Sequence, residues 1–356
     1  VKTLIITPEL FASEGGITRI LRLYLRALCE LCKGDGEVRV LALNDSKLPP
    51  DALARYTAGT RVEAKACGRS KLAFIVAALR MSSGCERIVC GHIAQLPLAW
   101  AASWLRPGLR YYLVAHGIEV WRPFTLLERL ALRGATQVWC VSEFTRRQLL
   151  ARCTLPEGRT TVLFNALDPL LAPKEPVRPP AGGALILTVT RLSLADSYKG
   201  VDHLIDAMPA VLSQIPEARL RIVGRGDGRT QLQERARSLG VAASVDFAGF
   251  VSDADLHAEF AGCKLFALPS EKEGFGLVYL EAMAHGRPCL AALAAGAPEV
   301  LTEDTGVLVR YGDVPGIAAA LVQALRRDWS LKALAARSEV FSYLRFRERL
   351  SSLLSS

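Results

Sequence analysis

The sequence predicts an α/β protein: two doubly wound parallel-sheet domains facing a cleft. Three observations predict it. Short β-branched runs alternate with helix-period segments, the pattern of successive βαβ units. A proline-rich interruption divides that alternation near its middle. The chain has 356 residues, more than one hydrophobic core usually organises.

In the first half the candidate strands are TLIIT, EVRVLAL, ERIVC, RYYLVAH, TQVWCVS and TTVLF. The clearest helix between them runs from Gly16 to Lys33, where Ile17, Ile20, Leu21, Tyr24, Leu28 and Leu31 recur at helical spacing. Arg19, Arg22 and Arg26 line another face of it. The interruption, PLLAPKEPVRPPAGG at residues 169–183, holds five prolines and reads as a linker. A second alternation follows with ALILTVT, ARLRIVG, SVDFAGF, CKLFALP, RPCLAAL and GVLV. From Gly316 onward the pattern is helical without strands. The expected division is therefore a domain at 1–168, a linker at 169–183, a domain at 184–340 and a terminal helix at 341–356 that lies back on the first domain.

The bulk composition, 51% hydrophobic and 22% charged, is that of a soluble globular chain. No apolar run reaches the roughly eighteen residues of a membrane span. The opening VKTLIITPEL is too soon interrupted for a signal peptide and reads as a first strand, which predicts a cytoplasmic chain. Nine scattered cysteines, with one CxxC at Cys29 and Cys32 inside a helical stretch, predict reduced thiols rather than a metal or redox site. The net charge is +9, and residues 1–168 carry all of it: 23 Lys and Arg against 14 Asp and Glu, versus 21 against 21 afterwards. That asymmetry suits an anionic partner for the first half. Nucleic acid is not that partner, since no aromatic interleaving or recognition motif accompanies the charge.

Several segments carry chemistry. In TVTRLSLADSYKG a strand gives way to Arg191 and Lys199 just before a helix; cations there bind phosphate or form surface ion pairs. In RIVGRGDG, Gly224, Gly226 and Gly228 form a GxGxG turn, which serves a close-approaching ribose or base, a dinucleotide, or a plain tight turn. Gly15 and Gly16 open the first helix, either admitting a diphosphate to free backbone N–H groups or simply capping it. His116 follows a strand, where a catalytic and a structural histidine are equally expected. The other four histidines show no ligand spacing, and no metal site is expected.

The stretch SEKEGFGLVYLEAMAHG sets Glu273 and Glu281 eight positions apart around Gly274, Phe275, Gly276 and Leu277. At a helical rise of ~1.5 Å per residue their carboxylates stand on the order of 12 Å apart, too far for a glycosidase acid/base pair. A ligand laid along the helix N-terminus, touched at each end, fits better.

Taken together in this order, EGFGLVYLE after LPS, RLSLADSYKG upstream, VGRGD between, APEVL and TGVLV after, and the early GG and HG steps resemble the retaining glycosyltransferases of family 4. The resemblance covers nearly the whole chain. It implies the GT-B fold and transfer of a hexose, mannose or glucose foremost, from a nucleotide-diphosphate sugar. The acceptor it implies is lipid-linked or an oligosaccharide, in bacterial surface polysaccharide or glycolipid synthesis. It also implies that no cofactor or metal is required. Arg191 and Lys199 match the family's cations on the donor diphosphate, Glu273 the glutamate near the sugar hydroxyls, and Glu281 the glutamate on the ribose. Residues 274–277 match the turn meeting sugar and phosphate, Gly16 the N-terminal glycine closing over the phosphates, and His116 the histidine near the reacting carbon. Gly224 and Phe250 match nucleoside contacts. Two departures stand out: the family's GGxPE reads AGAPE, with Ala295 for the first glycine, and the segment from Arg191 to Lys199 is longer than usual. Lys65, Arg69, Lys71 and Arg80, flanking the apolar run of KACGRSKLAFIVAALR, predict a basic amphipathic helix that lies on anionic lipid and, with Arg19, Arg22 and Arg26, a chain peripheral at the inner face of the cytoplasmic membrane. Transfer to a small soluble acceptor and sugar-nucleotide binding without turnover are the alternatives.

Overall fold

The computed structural model describes residues 1–32, 36–173, 175–180 and 182–355. These divide into two compact units, Val1–Asp168 with Tyr343–Ser356, and Pro169–Ser342.

The first unit holds a parallel sheet of β1 (Lys2–Thr7), β2 (Glu37–Ala42), β3 (Val62–Ala66), β4 (Arg87–Cys90), β5 (Arg110–Ala115), β6 (Gln137–Cys140) and β7 (Thr160–Val162), in the order β3-β2-β1-β4-β5-β6-β7. Its central strands are apolar throughout because helices cover both faces: β1 is buried from Thr3 to Thr7 and β5 from Tyr111 to Ala115. The order reverses between β1, which pairs with β2 on one side, and β4 on the other. Loops leaving those two strands diverge there and leave the crevice where open α/β sheets bind ligands. Beyond the six expected strands lies β3, whose exposed Glu63, Ala64 and Lys65 give no hydrophobic alternation; pairing with β2 makes it a strand.

The second unit repeats the plan with β8 (Leu185–Val189), β9 (Arg219–Val223), β10 (Val245–Gly249), β11 (Leu265–Leu268), β12 (Cys289–Ala292) and β13 (Gly306–Val309), ordered β10-β9-β8-β11-β12-β13. Each of the six expected runs forms its strand. The reversal here lies between β8 and β11.

Four sequence expectations need correction. Residues 169–183 belong to the second unit rather than standing between two domains: a Cβ at Gly286 would come within 3.0 Å of the Val177 carbonyl oxygen. Prolines fix the backbone there in an extended path that can lie on a surface. The terminal helix starts at Tyr343, not 341; it belongs to the first unit as expected, with Phe346 edge-on to Tyr24 at 5.0 Å and Arg347 bonded to Glu30. Arg19, Arg22 and Arg26 present no free basic face. Arg22 is 4% exposed, donating to the Leu10 carbonyl and to Glu14, Arg19 lies 3.9 Å from Glu14, and Arg26 pairs with Glu30. Finally, KACGRSKLAFIVAALR is the end of β3, a turn and the helix Lys71–Met81 rather than one helix. The first helix runs Gly16–Leu31; its expected end at Lys33 lies outside the described residues.

All nine cysteines are free thiols, eight of them buried and Cys32 half-buried. Burial pushes the Cys29 thiol up to about 12, which disfavours its thiolate.

Candidate functional site

The loop after β8 carries Arg191 and then tightens into a 3-10 turn, Leu194–Lys199, closed by Gly200 in a left-handed conformation at φ +72°. Glycine is required at 200 twice over, because a Cβ would also press within 2.6 Å of the Pro269 carbonyl. This close approach brings the end of the turn against the segment after β11. Lys199 Nζ meets Glu273 Oε1 at 2.5 Å, with 16% and 13% of the two side chains exposed. Arg191 is different: its side chain is 69% exposed and only leans on Asp196 at 3.2 Å. Tyr198 donates to Asp196 at 2.8 Å and its ring lies 5.3 Å below the Lys199 ammonium.

Glu273 opens the turn that leads to the helix Leu277–Ala284. Gly276 caps this helix at φ +95°, a position where a side chain would overlap the Tyr279 ring. Tyr279 in turn donates to the Leu268 carbonyl at the end of β11, and Phe275 packs edge-on to Phe341. The glutamates are therefore not on one continuous helix. Residues 273–276 are not helical, so the ~12 Å expected from helical rise does not apply. The Glu273 carbonyl accepts from Gly296 N–H at 2.8 Å, and beside it Ala295 takes φ +50° where the family has glycine.

The glycine turn after β9 now has a physical reason. A methyl at Gly224 would overlap the Thr190 carbonyl, one at Gly226 the backbone of Leu192, and one at Gly228 would come within 2.9 Å of the Leu192 oxygen. These glycines let two loop backbones run in contact, and Asp227 bonds Leu194 N–H across the seam at 2.8 Å. At the rim, Arg225 lies over the ring of Phe250 at 4.2 Å, and Phe250 is 55% exposed. Behind the Glu281 helix, His285 donates through Nδ1 to the Glu281 carbonyl at 2.6 Å. That leaves Nε2 to accept from His257 Nδ1 at 2.9 Å.

In the first unit, Gly15 caps the first helix with extended backbone, and a Cβ there would meet nothing within 4 Å. The cap itself is closed by Thr18, whose hydroxyl accepts from Gly15 N–H and donates to its carbonyl. Among the described residues nothing demands glycine at 15. Gly16 is the first residue of that helix. His116 follows β5 and is 7% exposed. Its Nε2–H donates to the Gly91 carbonyl at 3.0 Å, while Nδ1 has no partner among the described residues. Burial pushes its pKa down to about 4, so the ring is neutral at pH 7 and offers a lone pair. Glu119 fixes the turn by accepting from the His116 and Gly117 N–H groups at 2.5 and 3.1 Å. Burial pushes the Glu119 carboxyl up and, likewise, the nearby His92 down. Gln95, 5% exposed on the 3-10 turn after β4, has neither amide end bonded among the described residues.

The structure therefore joins Lys199 with Glu273 and sets Arg191, Lys199, Gly224, Phe250, Glu273 to Leu277 and Glu281 in the second unit, with Gly15, Gly16 and His116 in the first. Asp196, Tyr198, Arg225, Glu119 and Gln95 were missed. Only Glu119 had any signal, a carboxylate three residues after a histidine–glycine step.

Residues 15–169 match the family model described as Glycosyltransferase Family 4, and residues 183–327 that of Glycosyl transferases group 1. The chain is 36% identical over 225 residues, 58% of each chain, to the GDP-mannose-dependent alpha-(1-6)-phosphatidylinositol monomannoside mannosyltransferase of Mycolicibacterium smegmatis. Over 170 residues, 44% of each chain, it is 36% identical to the GDP-mannose-dependent monoacylated alpha-(1-6)-phosphatidylinositol monomannoside mannosyltransferase of Corynebacterium glutamicum. It spans about half the length of the curated relatives it matches. Among solved structures, HepE of Anabaena in complex with UDP has the same fold, with a TM-score of 0.80 over 100% of both chains at 20% identity. With both halves of the sequence matched and the GT-B architecture in each sheet order, the chain belongs to the family 4 glycosyltransferases.

Proposed function

We propose that the chain transfers a hexose, mannose or glucose, from a nucleotide-diphosphate sugar to a lipid-linked or oligosaccharide acceptor, with retention of anomeric configuration and without a metal ion. The observation that carries this reading is the Lys199–Glu273 pair beside Arg191, at the strand reversal of the second sheet. Breaking the sugar–diphosphate bond leaves positive charge on the anomeric carbon and negative charge on the departing phosphate. Fixed cations at that phosphate stabilise the transition state. When a diphosphate arrives, Lys199 turns to it, and Glu273, freed of its partner, accepts from the sugar hydroxyls. Glu281 meets the ribose, Gly15 and Gly16 the phosphates, and the Arg225–Phe250 stack the base. The acceptor oxygen bonds to the anomeric carbon on the face the diphosphate leaves, and the acceptor's proton passes to a phosphate oxygen. His116 holds a sugar hydroxyl through its neutral Nδ1. The names of the two mannosyltransferases support GDP-mannose as donor and a phosphatidylinositol glycolipid as acceptor; synthesis at the inner face of a bacterial cytoplasmic membrane is part of the same proposal.

A thermal-shift panel of GDP-mannose, UDP-glucose, UDP-N-acetylglucosamine and NAD(P), each with and without EDTA, tests the donor. One nucleotide sugar raises the midpoint by mass action, regardless of EDTA. Stabilisation by NAD(P) alone overturns the reading, and dependence on a divalent ion overturns its metal-free part. The anomeric coupling in the proton NMR spectrum of the product decides retention.

A further inference from the structure

Three helices cover one face of the first sheet: Lys71–Met81, Leu96–Leu105 and Leu126–Gly134. They pack side by side and send Phe74, Ala77, Ala99, Ala102, Ala131 and Leu132 into one core. Their outer sides carry unusually large apolar groups for a solvated surface. Leu72 is 74% exposed, Trp104 75%, Leu105 66% and Leu126 72%, with Ile75, Val76, Leu127 and Leu130 exposed beside them. On the first helix, positions 72, 75 and 76 keep helical spacing, so the exposure forms a stripe. Scattered exposed leucines need no explanation; a run of them across three adjacent helices does.

The charges on this layer have one sign. Its three helices contain a single carboxylate, Glu128, which is buried and held by two bonds from Arg122. Lys71, Arg80, Arg129 and Arg133 on the same helices are exposed, as is Arg69 just before them. The arginines of the Gly16–Leu31 helix, by contrast, are occupied by Glu14 and Glu30. Exposed cations of this half of the chain thus gather on the three-helix layer, with no exposed carboxylate beside them on those helices. Among the described residues no helix is long and apolar enough to cross a membrane. A surface both apolar and cationic is suited to lying on one.

We propose that this three-helix face docks on an anionic phospholipid surface, with Leu72, Trp104 and Leu126 entering the boundary between headgroups and acyl chains and the cations meeting lipid phosphates. A second copy of the chain is the poorer occupant, because a two-fold contact through this face would set cations against cations. The inference goes beyond sugar transfer, and it is read without turnover.

The test is co-sedimentation of the full chain with phosphatidylcholine vesicles, with and without phosphatidylglycerol. Binding at least about tenfold stronger to the phosphatidylglycerol vesicles is expected, weakened by salt. The variant Leu72→Gln/Trp104→Gln/Leu126→Gln should lose about tenfold or more of that binding, and Lys71→Gln/Arg129→Gln/Arg133→Gln should fall to the phosphatidylcholine level. These side chains are exposed, so the thermal midpoint and the donor-induced shift should stay at wild-type values. The two variant sets are independent, so misfolding of one leaves the other to decide. Wild-type indifference to phosphatidylglycerol overturns the proposal. So does undiminished binding by both variants, or a wild-type dimer in sedimentation velocity that the apolar variant abolishes. A donor shift with no vesicle binding refutes this face alone; vesicle binding with no donor shift refutes the transfer reading alone.

Discussion

At the carboxyl end of the second sheet the polar side chains are ionised and partnered: Lys199 on Glu273, Arg191 on Asp196. At the carboxyl end of the first sheet they are neutral and enclosed. His116 is held uncharged by burial, its Nδ1 unbonded among the described residues, and Gln95 is unbonded at both ends. Two sheets of one plan thus prepare for polar ligands by opposite means. A paired ion keeps its charge in a half-dry place until a stronger anion claims it. A buried neutral group keeps hydrogen-bonding capacity without the cost of desolvating a charge.

The largest expected effect breaks the charged side of this contrast. Lys199→Ala removes the cation from the departing phosphate and leaves Glu273 unpaired. Transfer at saturating donor should fall by about 10²–10³-fold, roughly 3–4 kcal/mol of transition-state stabilisation. A loss under tenfold would show that Arg191 alone carries the phosphate.

Acid comes next, and it reaches both units. The pKa of His116 in the first and of His285 in the second is pushed down to about 4 from 6.5, in each case chiefly by burial. Between those values the unfolded chain binds the proton and the folded chain does not. Stability is therefore full above about pH 6.5 and is lost as pH falls toward 4, by about 3 kcal/mol per histidine. Urea unfolding followed across that window checks it. His116→Gln should flatten the first unit's share of the slope and His285→Gln the second's.

A smaller effect sharpens the neutral side. His116→Ala removes a hydrogen-bonding lone pair but no charge, so turnover should fall by about tenfold with the donor's thermal shift unchanged. Equal losses in donor affinity would place this histidine on the donor's phosphates. The smallest effect lies in the backbone beneath the charged pair. Ala295 holds φ +50° next to Gly296, whose N–H bonds the Glu273 carbonyl. Ala295→Gly should raise stability by up to about 1 kcal/mol in the same urea titration, with turnover unchanged.

Most of the architecture was legible in the sequence, because twelve of the thirteen strands among the described residues fall on runs rich in β-branched and apolar residues. The exception, β3, is an edge strand whose outward charges hide it. The site was legible as a set of motifs but not as a set of contacts. Lys199 and Glu273 are 74 positions apart, and no local pattern announces that they touch. The arginines at 19 and 22 looked free because their partner Glu14 lies in the preceding loop, folded back by the bond from Arg22 to the Leu10 carbonyl, while Arg26 is taken by Glu30 one turn on in its own helix. Helical spacing also misled between Glu273 and Glu281, because the helix begins only after the left-handed Gly276.

The seam between the loops after β8 and β9 has an evolutionary consequence. Glycines 224, 226 and 228 tolerate no side chain, so the frame they build has almost no freedom to drift. The tips beside it, Leu194 in the loop after β8 and Phe250 just after β10, are more than half exposed. Descendants of such a chain can alter what those tips grip one residue at a time, while the frame that aims them is inherited intact.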